Sequence, residues 1–241
     1  MPKARVNGIE LFYEVHGQGY PVVLAHGFSS SHEAWQPQVE VFSREYRFIT
    51  YDARGHGQST SPPSPDQYSP DIVAEDLRQL LGVLDVKKAV VGGISMGGYE
   101  SLSFYLNYPE MVTALILADT GPGYRNPARR EEWNRQYEER VKVIEAEGKH
   151  PPGVIHMARK VVMQHDSRVI ESLDKIKVPT LLLVGENDTP YLAAGEYMAK
   201  VIPGAKHVVI PDAGHSCNRD NPEFFSRTVL DFLKKLNLPQ D

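Results

Sequence analysis

Several absences narrow what this sequence can be before any motif is considered. It contains a single cysteine, Cys217, which excludes an intrachain disulfide framework and a thiolate metal site. No apolar run approaches the roughly 18 residues that a membrane-spanning helix needs, and the mean hydropathy is -0.37. The first residues also lack the apolar stretch of a secretory signal, so we expect a soluble, cytoplasmic protein.

The sequence also has fewer positively than negatively charged residues. The chain carries 26 Lys and Arg against 31 Asp and Glu, a formal net charge of -5. Such a balance argues against binding to nucleic acid or to an anionic membrane, so we expect a small-molecule ligand instead. The remaining composition, 41% hydrophobic and 24% charged over 241 residues, is typical of a globular protein with a core of its own.

Short apolar runs that alternate with helical patterns predict an α/β architecture. The opening residues alternate around Asn7-Gly8, a pair that favours a two-residue hairpin turn. Unbroken aliphatic runs then recur, as expected for strands buried on both faces of a parallel sheet. These runs are Val22–Ala25, Phe48–Tyr51, Ala89–Gly92, Ala114–Ala118, Thr180–Val184 and His207–Ile210. Helical periodicity between them, for example after Ser69-Pro70, implies right-handed crossover connections.

Residues 121–177 interrupt this alternation. They include the densest cluster of charge, from Arg129 to Glu147, which predicts one long amphipathic helix. Its apolar residues recur at helical spacing and are Trp133, Tyr137, Val141 and Ile144. Because insertions of this kind sit where ligands bind, at the carboxyl ends of parallel strands, we predict a helical lid on a core formed by residues 1–120 and 178–241. The alternative is a helical excursion that covers no cleft.

The segment from Val90 to Tyr99 carries the most chemical information. An apolar run ends, Gly93-Ile94-Ser95-Met96-Gly97 follows, and a helical pattern begins at once. This is G-x-S-x-G in the strand–turn–helix setting of a nucleophile elbow, where a sharp turn strains the serine and leaves no room for side chains at the two glycines. The alternative is a phosphate-binding loop, but neither glycine-rich phosphate motif is present. Ser95 is therefore the predicted nucleophile.

A serine hydroxyl needs a neighbouring base before it can act as a nucleophile. His215 lies in a polar loop after the last apolar run, whereas His207 begins that run, so His215 is the predicted base. Asp188 follows the run Thr180–Val184 and is the predicted acid, which would fix the imidazole tautomer and stabilise the imidazolium. Asp119, at the end of the preceding run, is the alternative acid.

Backbone amides and lid side chains complete the predicted site. The amides of Met96, directly after the nucleophile, and of Phe28, after an early strand, are the predicted oxyanion-hole donors. His26 is interpreted as a hydrogen-bonding brace of the Phe28 loop rather than as a catalytic group. Trp133 and Tyr137 are predicted to contact substrate. We find no pattern of metal-ligating residues.

Five ordered motifs resemble those of the α/β-hydrolase superfamily, in particular its serine esterase, lactonase and carbon–carbon hydrolase branch. They are His26-Gly27-Phe28, Asp52 to Ser59, Gly93 to Gly97, Gly185 to Asp188 and Gly214-His215. The resemblance implies an eight-stranded, mostly parallel sheet flanked by helices, a catalytic triad, an oxyanion hole and no cofactor. It also implies that Asp52 to Ser59 form a structural loop. A serine at position 95 is incompatible with the aspartyl-ester chemistry of haloalkane dehalogenases and soluble epoxide hydrolases.

The sequence therefore predicts a cofactor-free serine hydrolase that cleaves carboxylic esters with Ser95, His215 and Asp188. A lactone, enol-lactone or carbon–carbon bond hydrolase would use the same residues. A non-catalytic ligand receptor on the same fold is the alternative from a different class, since a fold does not fix a function.

Overall fold

One eight-stranded sheet organises the chain, and the computed structural model describes residues 2–239 of it. The strands are β1 (Lys3–Val6), β2 (Ile9–His16), β3 (Pro21–Ala25), β4 (Arg47–Tyr51), β5 (Ala89–Ile94), β6 (Val112–Ala118), β7 (Thr180–Gly185) and β8 (Lys206–Ile210). Their order across the sheet is β1-β2-β4-β3-β5-β6-β7-β8. Strand β2 runs antiparallel to both its neighbours, and all pairings from β4 to β8 are parallel. The predicted eight-stranded, mostly parallel sheet is confirmed.

The strand predictions hold in detail. In the opening hairpin Val6 pairs with Ile9, and the two turn residues Asn7 and Gly8 have φ values of 44° and 77°. Positive φ at both positions is the geometry that the Asn-Gly pair favours. Each of the later aliphatic runs lies within one of the strands β3 to β8.

Nine α-helices are found within residues 2–239. They are α1 (Gln36–Phe42), α2 (Pro70–Val83), α3 (Met96–Asn107), α4 (Pro127–Glu147), α5 (Pro152–Met157), α6 (Arg168–Glu171), α7 (Thr189–Val201), α8 (Cys217–Asp220) and α9 (Pro222–Lys234). Ser69 caps α2 as predicted, since its hydroxyl accepts a hydrogen bond from the amide of Ile72 at 3.1 Å. None of these helices is long and apolar enough to cross a membrane.

The sheet is buried on both faces. Val23 and Ala25 of β3 point into one core, which α2, α3 and α7 cover, whereas Val22 and Leu24 point into the other, beneath α1 and α9. This alternation follows from the two-residue period of a strand. Because both faces of the sheet are covered, polar loops can lie only at the ends of the strands, including their carboxyl ends.

Helices α4, α5 and α6 all lie in the connection between β6 and β7. Val141 of α4 is fully buried against Ile155 and Ala158, and the ring of Phe28, from the loop after β3, packs against the same cluster. Arg159 bonds to Glu138 and Glu145 of α4. Residues 121–177 are thus anchored to each other and touch the loop after β3, while their role as a lid stays a prediction.

Candidate active site

Ser95 occupies a strained turn between β5 and α3. Its φ of 56° and ψ of -115° lie outside the regions that an L-residue normally adopts. The surroundings hold it there, because its amide donates to the carbonyl of Ala118 at 2.9 Å and its own carbonyl accepts from the Thr120 hydroxyl at 2.7 Å. Strain that persists only because neighbouring contacts enforce it is common at functional sites.

The glycines on either side of Ser95 are required by close packing. A Cβ atom at Gly93 would lie 2.5 Å from the backbone carbon of Gly97, and one at Gly97 would lie 2.4 Å from the carbonyl oxygen of Ala25. Both distances are far below van der Waals contact. The structure therefore shows the crowding that the sequence predicts at these two positions.

Ser95, His215 and Asp188 form a continuous hydrogen-bonded chain. The Nε2 atom of His215 lies 2.9 Å from Oγ of Ser95, and its Nδ1 atom lies 2.8 Å from Oδ2 of Asp188. The three residues follow β5, β8 and β7 respectively, so the parallel sheet brings them to one edge. The Asp188 side chain is only 5% exposed, whereas that of His215 is 47% exposed. With Nδ1–H donating a hydrogen bond to Oδ2 of Asp188, Nε2 is free to accept the hydroxyl proton of Ser95.

Opposing effects set the proton affinity of His215. Burial acts to lower the pKa of the imidazole, but the hydrogen bond to Asp188 and the carboxylate charges of Asp188 and Asp119 outweigh it. The pKa of His215 is therefore raised above 6.5. The guanidinium of Arg140 opposes this rise. Only the neutral imidazole can accept a proton from Ser95, and its share falls as the pH drops through this raised pKa.

Asp119, the alternative acid, makes different contacts. Its side chain accepts a hydrogen bond from the amide of Gly185 at 2.8 Å and another from the amide of Cys217 at 2.9 Å. It is fully buried, and burial raises the pKa of its carboxyl group. The structure does not place it in hydrogen-bonding contact with His215. Asp119 instead ties together the ends of the two segments that carry Asp188 and His215.

The loop after β3 approaches Ser95 closely. A Cβ atom at Gly27 would lie 3.5 Å from the Cβ of Ser95, and Phe28 lines the same cavity as Ser95. Within residues 2–239, the amides of Phe28 and Met96 donate to no acceptor, so both remain free to bind an oxyanion.

Two buried histidines hold this loop in place. Nδ1 of His26 lies 2.7 Å from the carbonyl oxygen of Gly27, and its Nε2 accepts from the amide of Ala53 at 3.0 Å. His56 accepts from the amide of Ser29 at 3.2 Å, and burial lowers its pKa to about 3. Burial also lowers the pKa of His26. Both rings are therefore neutral braces between the loop after β3 and the loop after β4.

The loop from Asp52 to Ser59 is itself densely bonded. The Asp52 carboxylate accepts from the ring and the amide of His32 and from the amide of Gln58, all at 2.7 Å. Arg54 forms a buried ion pair with Asp76 of α2 at 2.7 Å. These contacts stiffen the wall of the site, and none of them involves Ser95.

A cavity of about 440 Å³ opens above Ser95. Residues of the predicted lid line it together with loop residues, and they are Tyr137, Arg140 and Ile144. Trp133 lies outside the lining and stacks on the ring of Tyr137, with centroids 5.0 Å apart and planes 9° from parallel. The two predicted substrate contacts thus differ in position: Tyr137 faces the cavity, and Trp133 supports it.

Sequence reasoning missed several residues of the cavity wall, and two of them matter most. The Tyr191 ring packs against His215 at a centroid distance of 4.9 Å, and Arg140 lines the cavity beside Tyr137. Both lie three residues after a predicted site residue, Tyr191 after Asp188 and Arg140 after Tyr137. On a helix that spacing puts two side chains on one face, so it was the signal that could have revealed them.

The other titratable candidates lie apart from this chemistry. The Cys217 thiol is fully buried, and burial together with the charge of Asp119 raises its pKa, which makes it a poor nucleophile. His207 is the second residue of β8 and has a buried Nε2 that packs towards Gly195. No group of three or more His, Cys, Asp or Glu in the described part of the chain is arranged to hold a metal ion.

Known proteins are similar to this protein over nearly its whole chain. A family model for the alpha/beta hydrolase fold matches residues 20–160. A thermophilic esterase from Thermogutta terrifontis is 32% identical, with a TM-score of 0.86 over 98% of this chain and 99% of its own. A non-heme chloroperoxidase from Kitasatospora aureofaciens is 30% identical over 95% of this chain and 98% of its own length. The enol-lactonase from Burkholderia xenovorans is 27% identical, with a TM-score of 0.76 over 97% of this chain and all of its own. Since the family model covers more than half of the chain and the relatives match it almost end to end, this protein belongs to the α/β-hydrolase family.

Proposed function

We propose that this hydrolase cleaves carboxylic esters, with Ser95 as nucleophile, His215 as general base and acid, and Asp188 as the residue that orients His215. The observation that carries the proposal is the chain of two hydrogen bonds, 2.9 Å from Ser95 to His215 and 2.8 Å from His215 to Asp188. Geometry of this kind supports the assignment of a nucleophile, its base and the group that orients the base.

In the first half-reaction, Oγ of Ser95 attacks the acyl carbon while Nε2 of His215 takes the hydroxyl proton. The carbonyl electron pair moves onto oxygen, and the amides of Phe28 and Met96 stabilise the resulting negative charge. When the tetrahedral intermediate collapses, the bond to the leaving oxygen breaks. His215 then gives its proton to the departing alcohol, and the acyl group remains on Ser95.

Water completes the cycle by the same route. His215 takes a proton from water as the water oxygen attacks the acyl-enzyme, and returns it to Ser95 as the carboxylic acid leaves. Asp188 stays ionised throughout and stabilises the imidazolium formed in each half-reaction. With an enzyme of this design, removing one oxyanion donor typically costs about 10²–10³ in rate.

A lactone is a second candidate substrate, because it is a cyclic ester and its cleavage needs the same proton transfers. A relative supports a lactone as substrate: a 3-oxoadipate enol-lactonase from Acinetobacter baylyi is 28% identical over 89% of this chain. The esterase neighbour, at 32% identity, supports open-chain esters.

A fluorophosphonate probe tests the nucleophile directly. It should attach to Oγ of Ser95 with loss of fluoride, which peptide mass spectrometry can locate. Ser95→Ala should abolish both labelling and hydrolysis of a short p-nitrophenyl ester, leaving at most about a thousandth of the turnover.

Ser101→Ala is the matched control, because Ser101 lies on α3, the helix that follows Ser95, and its hydroxyl donates to the carbonyl of Gly97 at 2.7 Å, away from the cavity. Labelling at another residue, or full turnover by Ser95→Ala, would refute the assignment.

A further inference from the structure

Arg140 brings a positive charge to the reacting groups. It lines the cavity that contains Ser95 and His215, and its charge acts to lower the pKa values of His215, Tyr137 and Tyr191. Arg140 is exposed and lines this cavity, so a ligand bound there can reach its guanidinium. The five N–H donors of such a group need acceptors.

Several other cations of residues 121–177 have acceptors, and those without one, such as Arg129 and Lys160, do not line the cavity. Arg135 pairs with Glu132, Lys142 with Glu139, and Arg159 with two glutamates. Arg140, by contrast, makes no ion pair and no side-chain hydrogen bond with any residue from 2 to 239, although acidic side chains surround it in sequence. Its donors are therefore available to a ligand in the cavity.

Stacked rings hold Arg140 in position. Its guanidinium carbon lies 5.7 Å from the centroid of the Tyr137 ring, and Tyr137 in turn stacks on Trp133 at 5.0 Å. A cation over an aromatic face is attracted to it, and the contact leaves the edge of the guanidinium free for hydrogen bonds. The predicted lid aromatics thus act as a support for the arginine.

The cavity wall has more basic than acidic side chains, although the protein as a whole is negative. Its charged residues are Arg140, Arg219 and Asp188, and Asp188 is hydrogen-bonded to His215 and only 5% exposed. The chain carries a formal net charge of -5. Arg219 also borders a second cavity, which Glu33 lines, so the charge directed at the reaction centre comes mainly from Arg140.

From this arrangement we infer that Arg140 binds a free carboxylate on the substrate, so that the preferred substrates are esters or lactones bearing a second, ionised carboxyl group. The inference rests on the proposed function and names its substrate class. A guanidinium matches a carboxylate with two parallel hydrogen bonds, and such charge-assisted bonds are roughly twice as strong as neutral ones. A cavity of about 440 Å³ has room for a small half-ester.

Isosteric pairs of esters test this preference. Monoethyl succinate and ethyl levulinate differ only in a carboxylate against an acetyl group on the acyl side, and carboxymethyl acetate and acetonyl acetate differ in the same way on the alcohol side. Initial rates are measured in a pH-stat at pH 8.5, so that a shift in the pKa of His215 changes them little. We expect kcat/KM to favour the charged member of at least one pair by about tenfold or more.

Variants assign the preference to one residue. Arg140→Gln should lower kcat/KM for the charged ester by about 10- to 100-fold and for its neutral partner by less than about threefold. Arg140→Lys should retain part of the preference, because it keeps the charge but loses the paired hydrogen bonds. Arg135→Gln is the matched control on the same helix, since Arg135 is exposed and pairs with Glu132, and it should retain the full preference.

Calorimetric titration with succinate and with levulinate measures the carboxylate site without any turnover. Succinate should bind more tightly to the wild type, and Arg140→Gln should abolish the difference. If no ester is cleaved but this difference is seen, the proposed function fails and the carboxylate site stands. Equal rates and equal affinities within each pair, or a preference lost in Arg219→Gln instead of Arg140→Gln, would overturn the inference.

Discussion

Two buried carboxylates, Asp188 and Asp119, allow a paired test of which one serves His215. Asp188 lies 2.8 Å from Nδ1 of the imidazole. In Asp188→Asn the amide group can turn its N–H towards Nδ1, which moves the ring proton to Nε2, where it blocks acceptance of the serine proton. A wrong tautomer of this kind costs about 10⁴ in kcat in a serine–histidine–aspartate enzyme. The fold should be affected little, because a neutral hydrogen-bonding group replaces a side chain at the loop surface of the cavity.

Asp119→Asn should give the opposite pattern. The carboxylate accepts one hydrogen bond from the amide of Gly185 and one from the amide of Cys217, both in the buried interior. A carboxamide offers one oxygen, so its NH₂ group must face one of these donors. Leaving a buried donor unpaired costs about 1–3 kcal/mol, and each kcal/mol lowers Tm by about 2–4 °C in a chain of this size. We expect kcat to fall by less than about tenfold.

The assay compares kcat on a neutral ester with the thermal midpoint for both variants and the wild type. The pH profile adds a second readout, because both carboxylates raise the pKa of His215. The wild type should lose activity as the pH falls through a value above 6.5, where the imidazole becomes protonated. The residual activity of Asp188→Asn should persist to lower pH. A loss of about 10⁴ in Asp119→Asn at an unchanged Tm, with Asp188→Asn nearly active, would show that the acid is Asp119.

Two further predictions concern the lid and the core. Tyr137→Ala should change the ratio of kcat/KM between short and longer acyl chains, since each methylene in an apolar pocket is worth about 1–3 kcal/mol. Trp133→Ala should instead lower all rates together and lower Tm, because Trp133 lies behind Tyr137. A chain-length series of p-nitrophenyl esters checks both variants, and a changed ratio in Trp133→Ala alone would contradict the assignment. Glu100 is buried with neither carboxyl oxygen hydrogen-bonded, and burial raises its pKa to about 8. The folded state therefore keeps a proton that the unfolded state loses above pH 4.5, and stability should fall by up to about 1.4 kcal/mol per pH unit between that pH and about 8. Denaturant unfolding of wild type and Glu100→Gln from pH 5 to pH 9 should show a difference that grows up to about pH 8 and then levels; a constant difference would mean that Glu100 is already ionised.

The fold could be predicted from the sequence because its determinants are local. Asn7-Gly8 fixes a hairpin, and each aliphatic run reports burial on both faces without reference to distant residues. The turn at Ser95, where φ is 56°, is also determined locally, since the two glycines that its close packing requires lie within two residues of it. In a parallel sheet, residues that directly follow the strands meet at one edge whatever their separation in sequence, and this placed Asp188 and His215 next to Ser95.

The roles of Asp119 and Arg140 could not be predicted in the same way. Asp119 and Asp188 each follow a strand, and the sequence left them as alternative acids. Which of the two reaches His215 depends on differences of a few ångströms in the paths of the loops. In the structure the Asp119 carboxylate accepts hydrogen bonds from Gly185 and Cys217, which lie 66 and 98 positions later in the sequence. Both of its oxygens therefore hold the loops together. Arg140 is one of several arginines in a charged helix. It lines the cavity and Arg135 does not, and this difference depends on how the helix is rotated about its axis over the cavity.

This contrast bears on how substrate choice and chemistry are divided in the molecule. The proposed chemistry rests on backbone strain and strand ends, so a substitution in the lid can leave it intact. Recognition of the second carboxylate rests on one guanidinium held over Tyr137 at 5.7 Å, and Tyr137 depends in turn on its stacking with Trp133. A change in the facing side chains of α4 could therefore alter which esters are preferred while Ser95, His215 and Asp188 keep their geometry. The lid helix, with only Val141 fully buried, has few packing constraints to oppose such changes.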